Sequence, residues 1–465
     1  MFAAGGVGRA RLWRQMLVGA GKELRASFSY SSMLDTIVEE NARTLDQGLV
    51  LPCAPTDEEK IMYHTTGRGF LVSMGVFSLV ALSTGMWLFV LAAPYFYWFG
   101  VPTTFLMGYL LLSYFGVAVW GDDFDPEDHE GMLCTAQEDA YYPTVDVFLP
   151  VCGEPTHLLD NTWKYVRALD YPNVTVHILD DGGKEEVQQL AAMYGFNYIR
   201  RDNRPELKKA GNLRYAFART SGEIIVIFDA DFCPRPEFLR ETTPYFADQD
   251  VAILQTPQFF RCREEQTWVE RGAGVTQELF YRMVQVNRNK FDAAICVGTC
   301  GVYRRAALAP FGGTAAIGYS EDVHTGFNCT QLGFKKVKYI PQVMAMGACP
   351  DEPRAFFMQQ YRWCMGSTTL LCNPEFWESN LTRMQKMCYI SGMFYYSATA
   401  MAIFTGPLPG LLLIWFLPSS VLWYNISFAI PSIFFSVLVM KRWSKQTFDS
   451  SCHRVKIVQR CVRTA

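Results

Sequence analysis

Charge is absent from two long stretches of this 465-residue chain: neither 70–121 nor 387–440 contains a single Asp, Glu, Lys, Arg or His. Only 19% of the residues are charged, against 50% hydrophobic and 15% aromatic, where soluble domains carry about a quarter charged. So apolar a chain is not disordered. Its apolar excess is gathered in two blocks, which argues against a purely soluble enzyme. The 14 cysteines include no Cys-x-x-Cys pair, so zinc is not indicated. A net charge of −3 gives no pull toward nucleic acid, which is excluded as a partner.

A helix needs about 20 apolar residues to cross a hydrocarbon layer of roughly 30 Å, so each block is long enough for two crossings and a turn. The first turn is expected from Pro94 to Pro102, rich in the Tyr, Phe and Trp that favour the membrane interface. The second is expected near Leu417-Pro418-Ser419-Ser420, with Gly406-Pro407-Leu408-Pro409-Gly410 placed to kink the third helix or end it early. Buried helices of a large soluble core are the competing explanation, and blocks this long disfavour it.

Arg9, Arg11, Arg14, Lys22, Arg25, Arg43, Lys60 and Arg68 precede or open the first block, and Lys441, Arg442, Lys445, Arg454, Lys456, Arg460 and Arg463 follow the last, while neither external turn carries a Lys or Arg. The positive-inside rule then puts both termini and the central segment in the cytosol. The expected organisation is a cytosolic segment 1–69, a transmembrane hairpin 70–121, a cytosolic domain 122–374, an interfacial amphipathic helix 375–387 bearing Trp377, Leu381 and Met384, a second hairpin 388–440 and a basic cytosolic tail 441–465. Arg9, Arg11 and Arg14 interrupt the N-terminus before an apolar run forms, so no secretory leader is expected. A multi-pass protein of the plasma membrane follows, with reduced cysteines and unglycosylated sequons at Asn173, Asn328 and Asn380.

Within the cytosolic segment, candidate strands at Val145–Pro150, Val174–Leu179, Asn197–Arg200, Ile224–Phe228, Val251–Gln255 and Ala294–Val297 alternate with candidate helices at Thr156–Leu169, Lys184–Tyr194 and Lys208–Arg219. That order predicts an α/β domain on a mainly parallel sheet, whose ligands bind beyond the carboxyl ends of the strands. Acidic residues stand there: Glu154 after the first strand, Asp180-Asp181 after the second, Asp229-Ala230-Asp231 after the fourth. Extended backbone puts Asp229 and Asp231 on one face, a donor pair suited to Mg²⁺ or Mn²⁺ shared with phosphates. A lone Asp-x-Asp is more often a solvated turn; several acidic strand ends together reverse that. Further on, Glu321 and Asp322 would raise each other's proton affinity in a closed site and leave one as a general base, or simply lie in a helix's first turn behind Ser320. Gln359, Arg362 and Trp363 share a helix face by their spacing, with Arg suited to a diphosphate and Trp to a sugar ring or to the core.

This ordered set resembles the processive family-2 glycosyltransferases of the cellulose synthase type. The resemblance rests on Asp180-Asp181-Gly182, Lys209-Ala210-Gly211-Asn212, Asp229-Ala230-Asp231, Gln255-Thr256-Pro257-Gln258-Phe259-Phe260, Ser320-Glu321-Asp322 and Gln359-Gln360-Tyr361-Arg362-Trp363. It implies a GT-A fold, an inverting transfer from a nucleotide-diphosphate sugar, UDP-linked in most such enzymes, and a β-linked polysaccharide acceptor led out between the flanking helices. It implies Glu154, Asp180, Asp181 and Lys209 on the nucleotide and diphosphate, Asp229 and Asp231 on the metal, and Asp322 as base beside Glu321. Gln359, Gln360, Arg362, Trp363, Gln255, Thr256 and Phe260 would line the acceptor and diphosphate side. A glucan is the first product it suggests; a chitin-, mannan- or hyaluronan-like polymer, a glycolipid, or a silent channel subunit are the alternatives, with a homo-oligomer or accessory subunits as further partners. The chain departs from the pattern at Leu207, where histidine is usual, at Cys296-Val297-Gly298-Thr299, and in having no Phe-x-Val-Thr-x-Lys segment after its last expected span.

Overall fold

Apolar runs buried on both faces make the centre of the molecule in the computed structural model, which describes residues 51–64, 68–118, 124–262, 266–331, 336–430, 433–434 and 437. The expected cytosolic residues 1–50 and the basic tail 441–465 lie outside the described residues. The strands are β1 (Val145–Val151), β2 (Val174–Asp180), β3 (Asn197–Ile199), β4 (Ile224–Ile227), β5 (Cys233–Pro234), β6 (Val251–Gln255), β7 (Gly301–Arg304), β8 (Lys336–Tyr339) and β9 (Ala345–Met346). One sheet runs β3-β2-β1-β4-β7-β6-β8, and β5 pairs with β9 in a small ribbon. Within the large sheet only β7 runs antiparallel to its neighbours, β4 and β6; the pairs β1–β2, β1–β4, β2–β3 and β6–β8 are parallel.

Alternation along the strands explains why the sheet has two cores. Val145, Val147, Leu149 and Val151 of β1 point into one with Trp163 and Val187, while Phe148 joins the other with Leu213, Ile225, Ile227 and Tyr281. A strand covered on both sides reads as continuous apolar sequence, and at about 25 cal/mol per Å² removed from water these faces dominate the domain's stability. Helices Thr156–Arg167, Glu185–Tyr194 and Lys208–Phe217 fall where the sequence places them.

Two expectations need correction. Ala294–Val297 is not a strand. The Gln285 amide takes the Ile295 N–H at 2.9 Å and donates to its carbonyl at 2.6 Å, and left-handed backbone at Gly298 (φ 86°) and Cys300 (φ 55°) prevents extension; the strand is β7, just beyond. Nor is 375–387 one amphipathic helix. Asn373 caps a short helix Pro374–Glu378, and Thr382 then starts another with a capping box to Gln385, so Trp377, Leu381 and Met384 share no continuous face.

The first charge-free block forms helix Arg68–Leu91, a 3₁₀ turn Pro94–Phe99 and helix Gly100–Ala118. The second forms helices Arg383–Thr405, Leu408–Phe416 and Pro418–Tyr424, with the chain turning at Leu417 (φ −139°, ψ 60°). Phe89, Phe96 and Phe99 pack with Leu413 where the two blocks meet. Pro94–Ser113 and Arg383–Phe416 are long and apolar enough to cross a membrane, and only 28% and 11% of their apolar windows are buried inside the protein. At 1.5 Å per residue the 23 residues of helix Arg383–Thr405 rise about 35 Å, enough for a bilayer core of about 30 Å. On the domain side, residues 51–64 strap across the sheet unit: Arg261 holds Glu59 by two bonds of 2.5 Å, Tyr63 donates to Glu278 at 2.7 Å, and Arg235 reaches the Pro55 carbonyl at 2.6 Å.

Candidate active site

The expected acidic residues do gather beyond the carboxyl ends of β1, β2 and β4, in several different roles. Asp180 is completely buried; one oxygen accepts the Gly183 N–H at 2.8 Å and the other the Tyr198 hydroxyl at 2.7 Å, so it shapes the turn after β2. Asp181 receives both arms of Arg201, at 2.7 and 2.6 Å. Arg201 is itself buried and also donates to the carbonyls of Glu206 at 2.5 Å and Lys208 at 2.9 Å, tying the loop before helix Lys208–Phe217 to the end of β2. Sequence reasoning missed Arg201: it lies 20 residues from Asp181 in no recognisable motif, and only the pairing of β2 with β3 brings the two together. Glu154 accepts the Cys152 N–H at 2.6 Å, and burial raises its pKa, helped by the charges of Asp229 and Asp180.

Asp229 and Asp231 follow β4. Lys209 Nζ donates to Asp229 Oδ1, the Asp229 N–H donates to Thr299 Oγ1 at 2.9 Å, and Asp231 accepts the Ala348 N–H at 3.1 Å. Burial opposes the charge on Lys209, but Asp229, Glu321 and Asp322 outweigh it and hold the ammonium form firmly. Asp231 is pushed up to about 7 by burial and then by the neighbouring Asp229 charge. Two neighbouring carboxylates with one lysine, paired to Asp229, are short of positive charge, which suits a divalent cation. Among the described residues no third His, Cys, Asp or Glu joins them in a metal-sized cluster, so the protein would contribute two carboxylates and leave other positions to phosphate oxygens and water, the usual arrangement for Mg²⁺.

Helix Glu321–Gln331 begins with the second acidic pair. Burial raises both carboxyls; Asp322, with Glu321's charge beside it, reaches about 7, a suitable value for a base near neutrality. Its position is set from two sides. At Gly298 (φ 86°) any Cβ would lie 3.1 Å from Asp322 Oδ2, and at Gly366 it would lie 2.1 Å from Ser320 Oγ. Gly366 therefore lets helix Pro353–Thr369 settle directly on the residue before Glu321, and His324 secures the contact through Thr369 Oγ1 at 3.0 Å. The two readings of Glu321-Asp322 meet here: the pair lies in a first helical turn, with Glu321 buried and Asp322 half-buried beside it.

Helix Pro353–Thr369 carries Gln359, Gln360, Arg362 and Trp363, all half-buried. Burial lowers the Arg362 pKa against the pull of Tyr319 and Asp229, and among the described residues no hydrogen bond or ion pair holds its guanidinium. Gln255, Thr256 and Phe260 sit elsewhere. Gln255 is fully buried and its amide is consumed by the backbone of Val297 (3.0 Å), Thr299 (2.9 Å) and Thr256 (2.8 Å). Thr256 Oγ1 donates to the Cys300 carbonyl at 3.2 Å, and Phe260 packs edge-on against Phe232 in the core. These three hold the 297–300 turn and the core behind it.

A mainly parallel sheet with acidic strand ends and a lysine beside the second of its Asp pairs defines a class. Residues 146–311 match the family model for glycosyl transferase family 2, and the chain carries a domain of that family in a GT-A architecture. Among curated proteins it is 34% identical over 277 residues to a UDP-forming cellulose synthase catalytic subunit of Pseudomonas fluorescens (strain SBW25), covering 57% of this chain and 37% of that one. It is 31% identical over 402 residues to putative cellulose synthase 2 of Komagataeibacter xylinus, covering 82% of this chain and 26% of that one. The chain thus spans well under half the length of these relatives. Among solved structures it aligns with mannosyltransferase PcManGT from Pyrobaculum calidifontis, in complex with GDP-Man and Mn²⁺, at 17% identity over 78% of this chain and 99% of that one, with a TM-score of 0.47.

Proposed function

We propose that the chain is a membrane-embedded inverting glycosyltransferase that moves a sugar, glucose in the first instance, from a UDP-linked donor to a growing β-linked polysaccharide. The observation that carries this is Asp322: a half-buried carboxyl seated on Gly298 within the field of the Lys209–Asp229 pair, with its pKa raised to about 7. In the transfer, an acceptor hydroxyl oxygen bonds to the anomeric carbon while the bond from that carbon to the diphosphate oxygen breaks. Asp322 takes the hydroxyl proton, and UDP leaves. A single displacement inverts the anomeric centre, so an α-linked donor gives a β-linkage.

Lys209 and Arg362 bear on the negative charge that grows on the departing diphosphate, interactions stronger in the transition state than before it. A divalent cation held by Asp229 and Asp231 would supply further stabilisation of that same charge. Asp180 and the Asp181–Arg201 pair hold the loops around the nucleotide, Glu154 stands at the same end, and Gln359, Gln360 and Trp363 offer amides and a ring face to the acceptor. The outward apolar surfaces of the charge-free helices support a protein embedded in a bilayer, with the sheet domain and both termini on the cytosolic side by the positive-inside rule. The product would leave between the flanking helices.

The test is incubation of the purified full-length protein, in lipid nanodiscs with Mg²⁺ or Mn²⁺, with a panel of labelled UDP- and GDP-sugars, followed by digestion of the product with linkage-specific hydrolases. Incorporation from one UDP-sugar into a β-linked product is expected. No incorporation from any donor contradicts it and favours a silent subunit.

A further inference from the structure

Arg288 lies where the sheet domain meets the charge-free helices, and only 6% of it is exposed. Its guanidinium donates to Ser391 Oγ at 2.9 Å, while Nη1 is buried without a partner. Burying a charge with so little compensation opposes folding, so stability does not account for its place. Ser391 is turned to receive it. Its own hydroxyl donates to the Cys388 carbonyl at 2.9 Å, which leaves a lone pair for the guanidinium. The next residue of helix Arg383–Thr405 is glycine. A Cβ at Gly392 would lie 3.2 and 3.4 Å from the two Nη atoms and 3.6 Å from Ile295 Cδ1. The helix fits against both side chains because that position carries none of its own.

The chain beneath leads directly to Asp322. The Arg288 carbonyl accepts the N–H groups of Phe291 and Ala293 at 3.0 and 3.1 Å, and Gln385, early in helix Arg383–Thr405, donates to the Asp292 carbonyl at 3.1 Å. Gln285 then holds Ile295, Gln255 holds the Val297 N–H, and Gly298 lies under Asp322. The helix that carries Asp322 meets the same partner. Its Phe327 packs edge-on against Tyr389, with ring centres 6.4 Å apart and Met393 in the same cluster. A Cβ at Gly326 would stand 3.3 Å from Cys296 Cβ, so this helix also rests on the turn. Residues 388–393 thus touch both the segment that leads to the floor under Asp322 and the helix that bears it.

We infer that Arg288 is a positioning residue for the transfer reaction: through Ser391 and Gly392 it fixes helix Arg383–Thr405 against the 288–298 segment and so sets the floor under Asp322. Arg288 acts on the reaction only through that floor. The inference rests on the proposed role of Asp322 as the base. It ties sugar transfer to a helix that the proposed function sets in the bilayer, because a shift of that helix reaches the base through packed contacts on two sides.

The test uses the full-length protein in nanodiscs with Mg²⁺ and has two readouts: kinetics with the labelled UDP-sugar that the wild type incorporates, and hydrogen–deuterium exchange across 293–300. Gly392→Ala favours the helix by propensity but crowds Arg288 and Ile295. It should lower kcat about tenfold, below the roughly hundredfold of a 1 Å misplacement. KM and UDP affinity should not change, and exchange at Ile295 and Val297 should quicken. Ser391→Ala should act the same way more weakly, and Ser391→Thr, which keeps the hydroxyl, should recover most of the loss. Arg288→Met should match Gly392→Ala, and the double variant should fall no further, because both act through one contact. Wild-type kcat in Gly392→Ala and Arg288→Met overturns the inference, as does a parallel loss of UDP affinity, which would mark a disturbed domain. If the wild-type protein transfers no sugar, the transferase function itself fails; unchanged exchange in both variants would then overturn the inference independently, and faster exchange would uphold the hold of the helix on the turn.

Discussion

The sheet domain and the charge-free helices bury opposite kinds of group. In the domain, Asp146, Arg201 and Glu241 are buried with partners: Asp146 with His177 and Arg305, Arg201 with Asp181, Glu241 with Lys60. In the helices the large side chains Val101, Phe404, Trp415 and Trp423 are exposed by 76%, 76%, 82% and 73%, more than any soluble surface would show in so small an area. The contrast is the one expected of a chain that meets two solvents, as the proposed function requires: water enforces pairing of what the domain hides, and hydrocarbon would remove the penalty on what the helices display. Arg288 marks the junction. It is buried beneath helix Arg383–Thr405, donates to Ser391 Oγ at 2.9 Å, and leaves Nη1 without a partner.

The largest effect that would sharpen the contrast is chemical and confined to the domain. Chelation of divalent metal should lower transfer at least about a hundredfold, reversed by Mg²⁺ or Mn²⁺; persistent turnover in chelator would remove Asp229 and Asp231 from their role. Next comes a charge on each surface. Phe404→Arg should cost about 2.5–3.5 kcal/mol of membrane insertion, whereas Met193→Arg, at a site 82% exposed on a domain helix, should stay within about 0.5 kcal/mol. Equal penalties, measured by membrane-extraction and thermal-unfolding assays, would mean that both surfaces meet water.

A third effect separates the regions by pH. Asp322 binds its proton more tightly folded than unfolded, its value rising from 3.8 to about 7. Its contribution to stability therefore falls as pH rises through that window and is level above it. Asp322→Asn should gain thermal stability over the wild type at pH 8 and not at pH 4. Transfer efficiency should rise with pH through the same window as the base loses its proton; the helices, with no charged residue between 387 and 440, should contribute nothing. The smallest effects concern glycines. Gly298→Ala meets Asp322 and a φ of 86° and should cost about 1–2 kcal/mol, while Gly108→Ala faces open space and should gain up to about 1 kcal/mol of helix stability.

What the sequence revealed follows from the same contrast. Strands β1, β2, β4 and β6 were legible because burial on both faces leaves an uninterrupted apolar run, and the charge-free blocks because they exclude every charged residue over more than fifty positions. Strand β8, Lys336–Tyr339, was missed because its half-buried alternation spans four residues. The run 294–297 was apolar enough for a strand, but Gln285 and Gln255, far away in sequence, bend it into the turn that supports Asp322. Asp229, Asp231, Lys209, Asp322 and Arg362 were singled out from type and order, and the fold brings Lys209 onto Asp229. Arg201 was not, since its place on Asp181 depends on a meeting of two strands that no spacing encodes.

The transfer mechanism stands most directly on Asp322→Asn in full-length protein, assayed side by side for sugar transfer and for UDP binding. Turnover should fall by about 10²–10⁴, the contribution of a general base, while UDP binds as tightly as to the wild type, because the base acts only in the transition state. Transfer at the wild-type rate in that variant would contradict the role of Asp322 and the mechanism built on it.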